Sequence, residues 1–286
     1  MYLVRKRALG DVLWIEPVIR ALASRHKKVI VYTLHNDLFR HYPLPNVTFR
    51  SSLHFFEKIL IRVERFIGTR FFSIDLNGSY EKDPHRHFLE AYENSAGVPV
   101  TREYPRLYLD KAEKNYDPGV KGPYVVLHLE SFTDKNYRKV YGVDWAKVVR
   151  HLHESGYAVL QIGKQPEPIP GAIIRSTSLR EMMALLAKAS FFIGLDSGPS
   201  HIAAALGTPA ILFFGAVNPA YRHFSELMKG FILQQPCPYA GCFHNATHPE
   251  SMVCRLVGNE GIPICSLHTT DGVLDTIDRL RKEFVC

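Results

Sequence analysis

The sequence predicts an α/β protein with two Rossmann-like domains, and three observations lead to this class. Short apolar runs alternate with stretches of helical spacing, which is typical of mostly parallel sheets with helices on their faces. The alternation starts twice, and a segment rich in Pro and Gly at 115–123 separates the two starts. The length of 286 residues suits two domains of about 140 residues each. We therefore expect two sheets that face each other across a cleft, in domains 1–117 and 118–286.

The amino-terminal domain opens with the pattern of a β-α-β unit. Tyr2–Val4 is a short apolar run, a Leu-Gly-Asp turn follows, and Val12–Ser24 has apolar residues at helical spacing. The β-branched run Val29–Tyr32 then predicts a second strand. A parallel pair of strands joined by a helix is therefore expected at the start of the chain.

The carboxy-terminal domain repeats this order from residue 124 onwards. Its strands are predicted at Tyr124–His128, Ala158–Ile162, Phe191–Gly194 and Ala210–Phe214. Its helices are predicted at Asp144–His153, Leu179–Ala189, Pro199–Leu206 and Asp271–Lys282. The last of these is amphipathic and follows a long loop that contains most of the cysteines.

Residues 50–71 have the pattern of a basic amphipathic helix. Its apolar positions recur at helical spacing, at Phe56, Leu60, Val63 and Ile67. Its basic positions are Lys58, Arg62 and Arg65. Such a helix either packs its apolar face against a sheet or lies on an anionic membrane surface.

Composition excludes several classes of protein. Apolar residues make up 46% of the chain and charged residues 22%, which is typical of a globular protein and not of a disordered or collagen-like one. No apolar run reaches the roughly 18 residues of a membrane-spanning helix. Asp11 and Glu16 interrupt the amino-terminal segment, so a secretory signal is not expected there. We therefore expect a cytoplasmic protein, either free or at the inner face of the membrane.

The charge is concentrated near the amino terminus. Residues 1–70 contain 13 Lys and Arg against five Asp and Glu, whereas the remaining residues contain 22 basic and 23 acidic side chains. This excess favours an anionic partner such as a phosphorylated glycolipid, a nucleic acid or a membrane surface. The alternative is a solvated surface with no partner.

The most informative segment for function is 191–215. Asp196, Ser197 and Gly198 lie where an apolar strand ends and a helix begins. Ligands bind at the carboxyl ends of strands in open α/β sheets, and the unpaired N–H groups at a helix start suit a phosphate. His201, one turn into the helix, is a further candidate ligand. The alternative is that Asp196 or Ser197 only caps the helix and that His201 is a packed surface histidine.

Two segments of the chain resemble glycosyltransferase family 9, the heptosyltransferases of lipopolysaccharide core assembly and their relatives. The first is ALGDVLWIEPVIRAL at 8–22, and the second runs from Gly194 to Pro219 and contains DSGPSH and FGAVNP. The segment Ser178–Ser190 is similar to the helix before the second signature. The resemblance implies a GT-B fold and an inverting transfer from a nucleotide-diphospho-sugar, commonly ADP-heptose, to an acceptor hydroxyl.

The resemblance also implies roles for single residues. Asp11 matches the general base, which takes the proton of the acceptor hydroxyl as the oxygen attacks the anomeric carbon; the alternative is a helix cap. Matches to donor-binding positions are Thr133, Arg138, Lys139, Glu167, Asp196, Ser197, Gly198 and His201. In the diphosphate segment Thr133 and Arg138 are the matched positions, and Lys135 and Lys139 are rival candidates for the basic group. Glu167 matches a position that holds the nucleoside. No catalytic metal is expected, because the helix dipole and basic side chains stabilise the leaving group.

The acceptor is left open by two departures from the family pattern. The first domain is shorter than the family usually has, and Asn218 replaces the acidic residue often found before Pro219. Glycolipid, protein and nucleic-acid acceptors all remain, as does peripheral membrane contact through the basic first domain. Two other functions remain as well: a nucleotide-sugar epimerase of GT-B fold, and a binding protein without catalysis.

Four cysteines form a second group of candidate residues. They have the spacing C-x4-C-x11-C-x10-C, at Cys237, Cys242, Cys254 and Cys265, and His244 and His248 lie near them in sequence. Four thiolates suit a structural zinc or iron ion that fixes a long loop. Free thiols are the main alternative, since a reducing cytoplasm disfavours disulfides.

Overall fold

The chain forms two compact units, each built around one parallel sheet. The computed structural model describes residues 1–69, 71–131, 135–246 and 252–285. The units are Met1–Asp110 and Lys111–Cys286, whereas the sequence placed the boundary between residues 117 and 118. The residues just before 117 join the second unit because Glu113 accepts hydrogen bonds from the buried Arg180 at 2.7 and 2.5 Å.

The first unit contains a four-stranded parallel sheet in the order β3-β2-β1-β4. Strands β1 to β4 are Tyr2–Val4, Val29–Tyr32, Val47–Arg50 and Ser73–Asp75. Helices α1 to α5 are Leu9–Leu13, Glu16–Ala23, Phe55–Ile67, Ser79–Lys82 and Phe88–Ala96. The single helix predicted at Val12–Ser24 is therefore wrong: two helices occupy this stretch. Pro17 explains the break, because it has no N–H to continue the helical ladder and is favoured in a first turn.

The second unit contains a six-stranded parallel sheet in the order β10-β9-β8-β5-β6-β7. Strands β5 to β10 are Tyr124–His128, Ala158–Ile162, Ile173–Arg175, Phe191–Leu195, Ala210–Phe213 and Gly230–Leu233. Helices α6 to α10 are Lys111–Lys114, Trp145–Glu154, Leu179–Lys188, Gly198–Ala205 and Thr270–Leu280. The elements predicted between residues 124 and 214 are confirmed to within one residue at each end.

The core of the second unit lies around its central strands. Every residue of β5, β8 and β9 is buried, as expected of parallel strands covered on both faces. Helices α7 and α10 pack against this sheet through buried residues that include Val148, Leu152, Val273 and Ile277. The rigid sheet thus fixes the positions of the turns that follow β8 and β9 at its carboxyl edge.

Helix α3 forms where the basic amphipathic pattern predicts a helix, but its apolar face does not pack against the sheet. Phe56, Val63 and Ile67 are exposed, whereas Ile61 and Glu64 are buried. The packing interpretation of this segment is therefore wrong, because the side that faces the protein is the one that carries the carboxylates. Among the residues that the structure describes, no helix is long and apolar enough to cross a bilayer.

Candidate functional site

The turn after β8 brings together four of the residues predicted to bind a donor. Asp196 follows the last residue of the strand, and its N–H donates to the carbonyl of Phe213 at the end of β9 (3.1 Å). Ser197 precedes α9, whose first turn begins at Gly198. The Ser197 N–H donates to the Ser200 hydroxyl (3.2 Å), which fixes the entry into the helix. The turn therefore presents a carboxylate, a hydroxyl and a helix start at one edge of the sheet.

Histidines surround this turn, and the sequence had singled out only one of them. The buried His201 places its Nε2 3.8 Å from a carboxylate oxygen of Asp196, and its ring stacks on that of His223 at 4.4 Å. His128, the last residue of β5, has its Nδ1 3.3 Å from the Ser197 hydroxyl oxygen. Burial lowers the pKa of His128 to about 4 and holds that of His223 well below its usual value. Both rings are therefore neutral near pH 7.

The predicted diphosphate segment reaches the same edge of the sheet. Thr133 lies outside the described residues. Arg138 is the last residue of the short helical turn Asn136–Arg138, and Lys139 comes directly after it. The carbonyl of Tyr137, just before them, accepts a hydrogen bond from the N–H of Ala216, two residues beyond Phe214 (3.3 Å). Because β9 lies next to β8, this bond ties the basic segment to the strand beside the Asp196 turn.

Glu167 lies in the exposed loop after β6, two strands away from β8 in the sheet order. Its carbonyl accepts from the amide of the buried Gln161 (2.7 Å). A second acidic residue organises the start of this loop: Glu130, after β5, accepts from the N–H groups of Lys164 (2.5 Å) and Gln165 (3.0 Å). Glu130 is absent from the predicted site residues, although a carboxylate just past a buried strand is a signal that could have found it.

In the first unit, Asp11 is buried and paired with a cation. Its carboxylate accepts from the guanidinium of Arg5, which also donates to the carbonyl of Leu76 (3.1 Å) and lies 3.6 Å from Glu81. Burial lowers the pKa of Arg5, but its electrostatic interactions with Tyr92, Asp11 and Glu81 outweigh burial, so the pKa lies above its usual value. Arg5 is therefore a fixed positive charge, and an opposite charge at hydrogen-bond distance favours the ionised form of a carboxylate.

Two tyrosines complete the surroundings of this ion pair. The Arg5 guanidinium lies 5.3 Å from the ring centre of Tyr80 and 5.7 Å from that of Tyr92. Within the described residues, the buried hydroxyl of Tyr92 has no hydrogen-bond partner. Ala8, just before α1, has a φ of 62°, a conformation that is rare for a residue with a Cβ. Strained backbone and orphaned buried polar atoms are more common at functional sites than elsewhere.

The four cysteines predicted as metal ligands line one small cavity. The cavity has a volume of about 10 Å³, room for a single sphere the size of a water molecule. All four are free thiols. Burial and then the neighbouring thiols raise the pKa of Cys265 to about 11. His244 is not among the lining residues, because its Nε2 accepts from the N–H of Asn218 (3.0 Å), and His248 lies outside the described residues.

The cysteine-rich loop is joined directly to the basic segment. The Asn136 amide donates to the carbonyls of Gly258 (3.0 Å) and Gly261 (2.8 Å). Tyr137 lines the cysteine cavity, and the Arg138 guanidinium lies over the ring of Phe243, 5.4 Å from its centre. The loop therefore supports the segment that the sequence matched to diphosphate binding. No local sequence pattern showed this contact between distant segments.

The comparison with known families identifies the family of this chain. The model of glycosyltransferase family 9 (heptosyltransferase) matches residues 81–239, more than half of the chain. The chain belongs to glycosyltransferase family 9. The matched range includes the Asp196 turn and the basic segment at 135–139.

Curated relatives in family 9 match parts of the chain. The autotransporter heptosyltransferase Aah of Escherichia coli is 31% identical over 158 residues, which are 50% of this chain and 39% of Aah. Lipopolysaccharide heptosyltransferase 3 of E. coli is 34% identical over 120 residues, 36% of this chain and 34% of that protein. The aligned part therefore spans less than half the length of these relatives.

Solved structures of family 9 match nearly the whole chain. The iron-containing dodecameric glycosyltransferase TibC from enterotoxigenic E. coli has a TM-score of 0.75 at 20% identity, over 98% of this chain and 76% of TibC. The ADP-heptose lipopolysaccharide heptosyltransferase II of E. coli has a TM-score of 0.67 at 15% identity, over 98% and 97% of the two chains. These likenesses confirm the predicted GT-B fold.

Proposed function

We propose that this chain is an inverting glycosyltransferase that moves heptose from ADP-heptose to a hydroxyl group of a glycoconjugate. The observation that carries the proposal is that a member of family 9 has both a buried Asp11 paired with Arg5 and the Asp196 turn at the carboxyl edge of its second sheet. The donor is supported by TibC, whose structure was determined in complex with ADP-D-beta-D-heptose and has a TM-score of 0.74 to this chain.

Asp11 acts as the general base. Its carboxylate takes the proton from the acceptor hydroxyl while the oxygen forms a bond to the anomeric carbon. The bond from that carbon to the diphosphate oxygen breaks on the opposite face, and the nucleoside diphosphate leaves with the electron pair. Arg5 is a positioning residue, because its fixed charge keeps Asp11 ionised and holds the carboxylate in place.

The second unit binds the donor. The N–H groups at the start of α9, with Ser197 and Gly198, hold the diphosphate, and Asp196 and His201 bind hydroxyl groups of the sugar. The basic segment stabilises the charge that develops on the leaving group, through Arg138 and Lys139, and Thr133 of the same sequence segment donates a hydroxyl hydrogen bond to the diphosphate. Positive charge from these groups takes the place that a catalytic metal has in other transferases, and Glu167 contacts the nucleoside.

The first unit, richer in basic residues, binds an anionic acceptor. The relatives give two acceptor classes, since one curated group is named for lipopolysaccharide and the other for autotransporter proteins. The positive charge of residues 1–70 favours the phosphorylated glycolipid. We place the enzyme in the cytoplasm, because four neighbouring cysteines that are all free thiols suit a reducing compartment.

The test begins with the thermal stability of the full chain in the presence of ADP-, UDP-, GDP- and CMP-sugars and the free nucleotides. A ligand that binds only the folded state raises its stability, so ADP and ADP-heptose are expected to raise the melting temperature selectively. Transfer of heptose to purified lipooligosaccharide acceptor then follows by mass spectrometry. Donor turnover without any acceptor indicates an epimerase, and donor binding without turnover indicates a binding protein; either result overturns the proposal.

The four cysteines hold one structural metal ion, iron or zinc. The donor set fits such an ion, because four sulfur atoms line a cavity for a single sphere and a cation offsets the cost of ionising neighbouring thiols. The description of TibC as iron-containing favours iron. The ion would crosslink the loop that supports Asn136 and Tyr137.

Elemental analysis of the purified chain tests this assignment, and we expect about one metal ion per chain. A visible charge-transfer absorption from thiolate to iron(III) distinguishes iron from zinc. Cys265→Ser should lose the metal and weaken ADP binding, whereas Cys286→Ser, at the fifth cysteine, is the matched control and should retain both. Wild-type protein that contains no metal, yet is as stable as protein incubated with iron or zinc, would remove the metal from the proposal.

A further inference from the structure

Helix α3 directs its large apolar residues to solvent and its acidic residues towards the protein. Its inward side consists of the buried Ile61 and Glu64, with Leu60 and Glu57 half-buried beside them. Its outward side carries the large apolar residues, and Phe56 and Phe66 are 81% and 90% exposed. Exposed phenylalanines of this number are unusual for a surface helix, whose apolar stripe ordinarily faces the core.

Two carboxylates hold the helix in this orientation. Glu64 accepts from the N–H of Phe72 (2.7 Å) and from the hydroxyl of Ser73 (2.5 Å), at the start of β4. Glu57 accepts from the guanidinium of Arg50 (3.0 Å) and from the hydroxyl of Tyr2 (3.1 Å). Because both acidic side chains bond to the neighbouring strands, rotation of the helix to bury its phenylalanines would break all of these contacts.

The outward side combines apolar and positive residues. Its exposed apolar side chains are Phe55, Phe56, Ile59, Val63, Phe66 and Ile67, and Phe71 and Phe72 after the helix are exposed too. Lys58 and Arg62 are exposed between them. Glu57 and Glu64 are the only acidic residues between positions 50 and 72, and both point inward. Among the described residues of this segment, the outward side thus carries apolar and positive side chains and no acidic one.

We propose that α3 is a docking helix for an anionic lipid surface, lying in the plane of the membrane with its phenylalanines in the acyl boundary and Lys58 and Arg62 at the headgroups. Charge selects this occupant over a second copy, since a twofold contact across this side would bring the Lys58 and Arg62 cations of the two copies together with no acidic side chain between them. Shape agrees: the helix is a convex ridge about 20 Å long, which a membrane accepts and a protein partner would have to match with a groove. The inference rests on α3 alone and not on the proposed transfer reaction.

Flotation of the full chain with vesicles tests the inference. One set of vesicles contains phosphatidylethanolamine with about one third phosphatidylglycerol, and the other contains only phosphatidylcholine. We expect binding to the first set and little to the second. Phe56→Ser/Phe66→Ser and Lys58→Glu/Arg62→Glu should each lower the partition coefficient at least about tenfold. The melting temperature should hardly change, because these side chains are exposed.

Two control variants separate α3 from the general charge and apolar surface of the chain. Lys27→Glu/Lys28→Glu makes the same change of charge at exposed positions of the same unit, outside α3. Ile173→Ser/Ile174→Ser removes exposed apolar side chains from the edge strand β7. Both should bind vesicles as the wild type does. Equal losses in the two charge variants, with binding retained in the phenylalanine variant, would overturn the inference in favour of diffuse attraction.

Two further measurements address the remaining outcomes. Phe66→Trp places a fluorophore on the outward side, and its emission should shift to the blue on anionic vesicles; an unchanged emission contradicts insertion. Light scattering after gel filtration reports the oligomeric state. A wild type that binds neither vesicle, together with a smaller assembly for Phe56→Ser/Phe66→Ser, would show that a second copy covers the face, and the membrane inference would be wrong.

Discussion

Each unit places an aspartate near the start of the helix that follows a central parallel strand, but the charges around the two residues differ. Asp11, after β1, is paired with Arg5, a cation that does not lose its charge at any ordinary pH. Asp196, after β8, faces His201, and the neighbouring imidazoles of His128 and His223 are neutral near pH 7. The two strand-to-helix connections therefore surround their aspartates differently: the carboxylate of Asp11 bonds to a cation, whereas that of Asp196 lies among histidines, of which His128 and His223 are neutral near pH 7.

The largest expected effect separates the two aspartates by kinetics. Asp11→Asn keeps the shape of the side chain but removes the base, so we expect kcat to fall about a thousandfold with ADP affinity unchanged. Asp196→Asn should instead raise KM for the donor about tenfold, because it weakens hydrogen bonds to the sugar. Steady-state kinetics and calorimetric titration with ADP measure both. A donor-binding defect in Asp11→Asn would remove the contrast between the turns.

Removal of the Arg5 cation tests the ionised state of Asp11. Arg5→Met leaves a buried carboxylate without its partner, so we expect the free energy of unfolding to fall by about 3 kcal/mol. The acid limb of the profile of kcat/KM against pH should move to higher pH, because Asp11 then takes up a proton more readily. Arg180→Met, which breaks the buried pair with Glu113, is the matched control. It should lower stability without moving the profile; equal profiles for both variants would contradict the role of Arg5.

Acidification should weaken the second turn through His128. Its pKa is about 4 in the folded state and near 6.5 when unfolded, so the unfolded chain binds the proton first as the pH falls. This contribution to stability is present above pH 6.5 and is lost progressively towards pH 4. His128→Gln should reduce the loss of stability between pH 7.5 and pH 5 by about 2 kcal/mol, measured by urea unfolding. Identical losses in the variant and the wild type would show that the ring titrates normally.

The smallest expected effect concerns the backbone before each helix. Ala8 has a φ of 62°, whereas Ser197 has an extended φ of −161°. Ala8→Gly should therefore raise the free energy of unfolding by about 1 kcal/mol, since glycine adopts positive φ without strain. Ser197→Gly should lower it by a similar amount, because it adds only freedom to the unfolded chain and removes the hydroxyl from His128. Thermal unfolding of both variants checks the opposite signs.

The sequence predicts the elements of the second sheet well because each central strand is a continuous apolar run. Tyr124–His128 is predicted to the residue, since a strand covered on both faces leaves no ambiguity in its pattern. The edge strands β7 and β10 are not predicted. Ile173–Arg175 is largely exposed and Gly230–Leu233 is half-buried. Because neither strand is fully buried, neither has the long apolar run that predicts a central strand.

The orientation of α3 could not be predicted from the sequence pattern. Its helical spacing predicts the helix, but which side faces inward depends on bonds from Glu64 to Phe72 and Ser73, outside the helix. In the candidate site, the motifs give Asp11 and the Asp196 turn. Arg5 and His128 are absent from the prediction. His128 lies 69 positions from Ser197, a separation that the sequence alone does not bridge. Arg5 lies only six positions before Asp11, but no pattern in the sequence showed that its guanidinium bonds to that carboxylate.

The hydrogen bonds from Asn136 to the loop around Gly258 join residues that are 122 positions apart, and this separation has a consequence for synthesis. A chain emerging from the ribosome completes β5 to β9 before the carbonyls that hold Asn136 have been made. The turn after β8 is therefore translated early, whereas the two hydrogen bonds of Asn136 in the basic segment at 135–139 can form only after Gly261 has been translated. If the four cysteines bind the proposed metal ion, metal binding is the final step of maturation. The affinity of newly synthesised enzyme for ADP then reports whether the metal has bound.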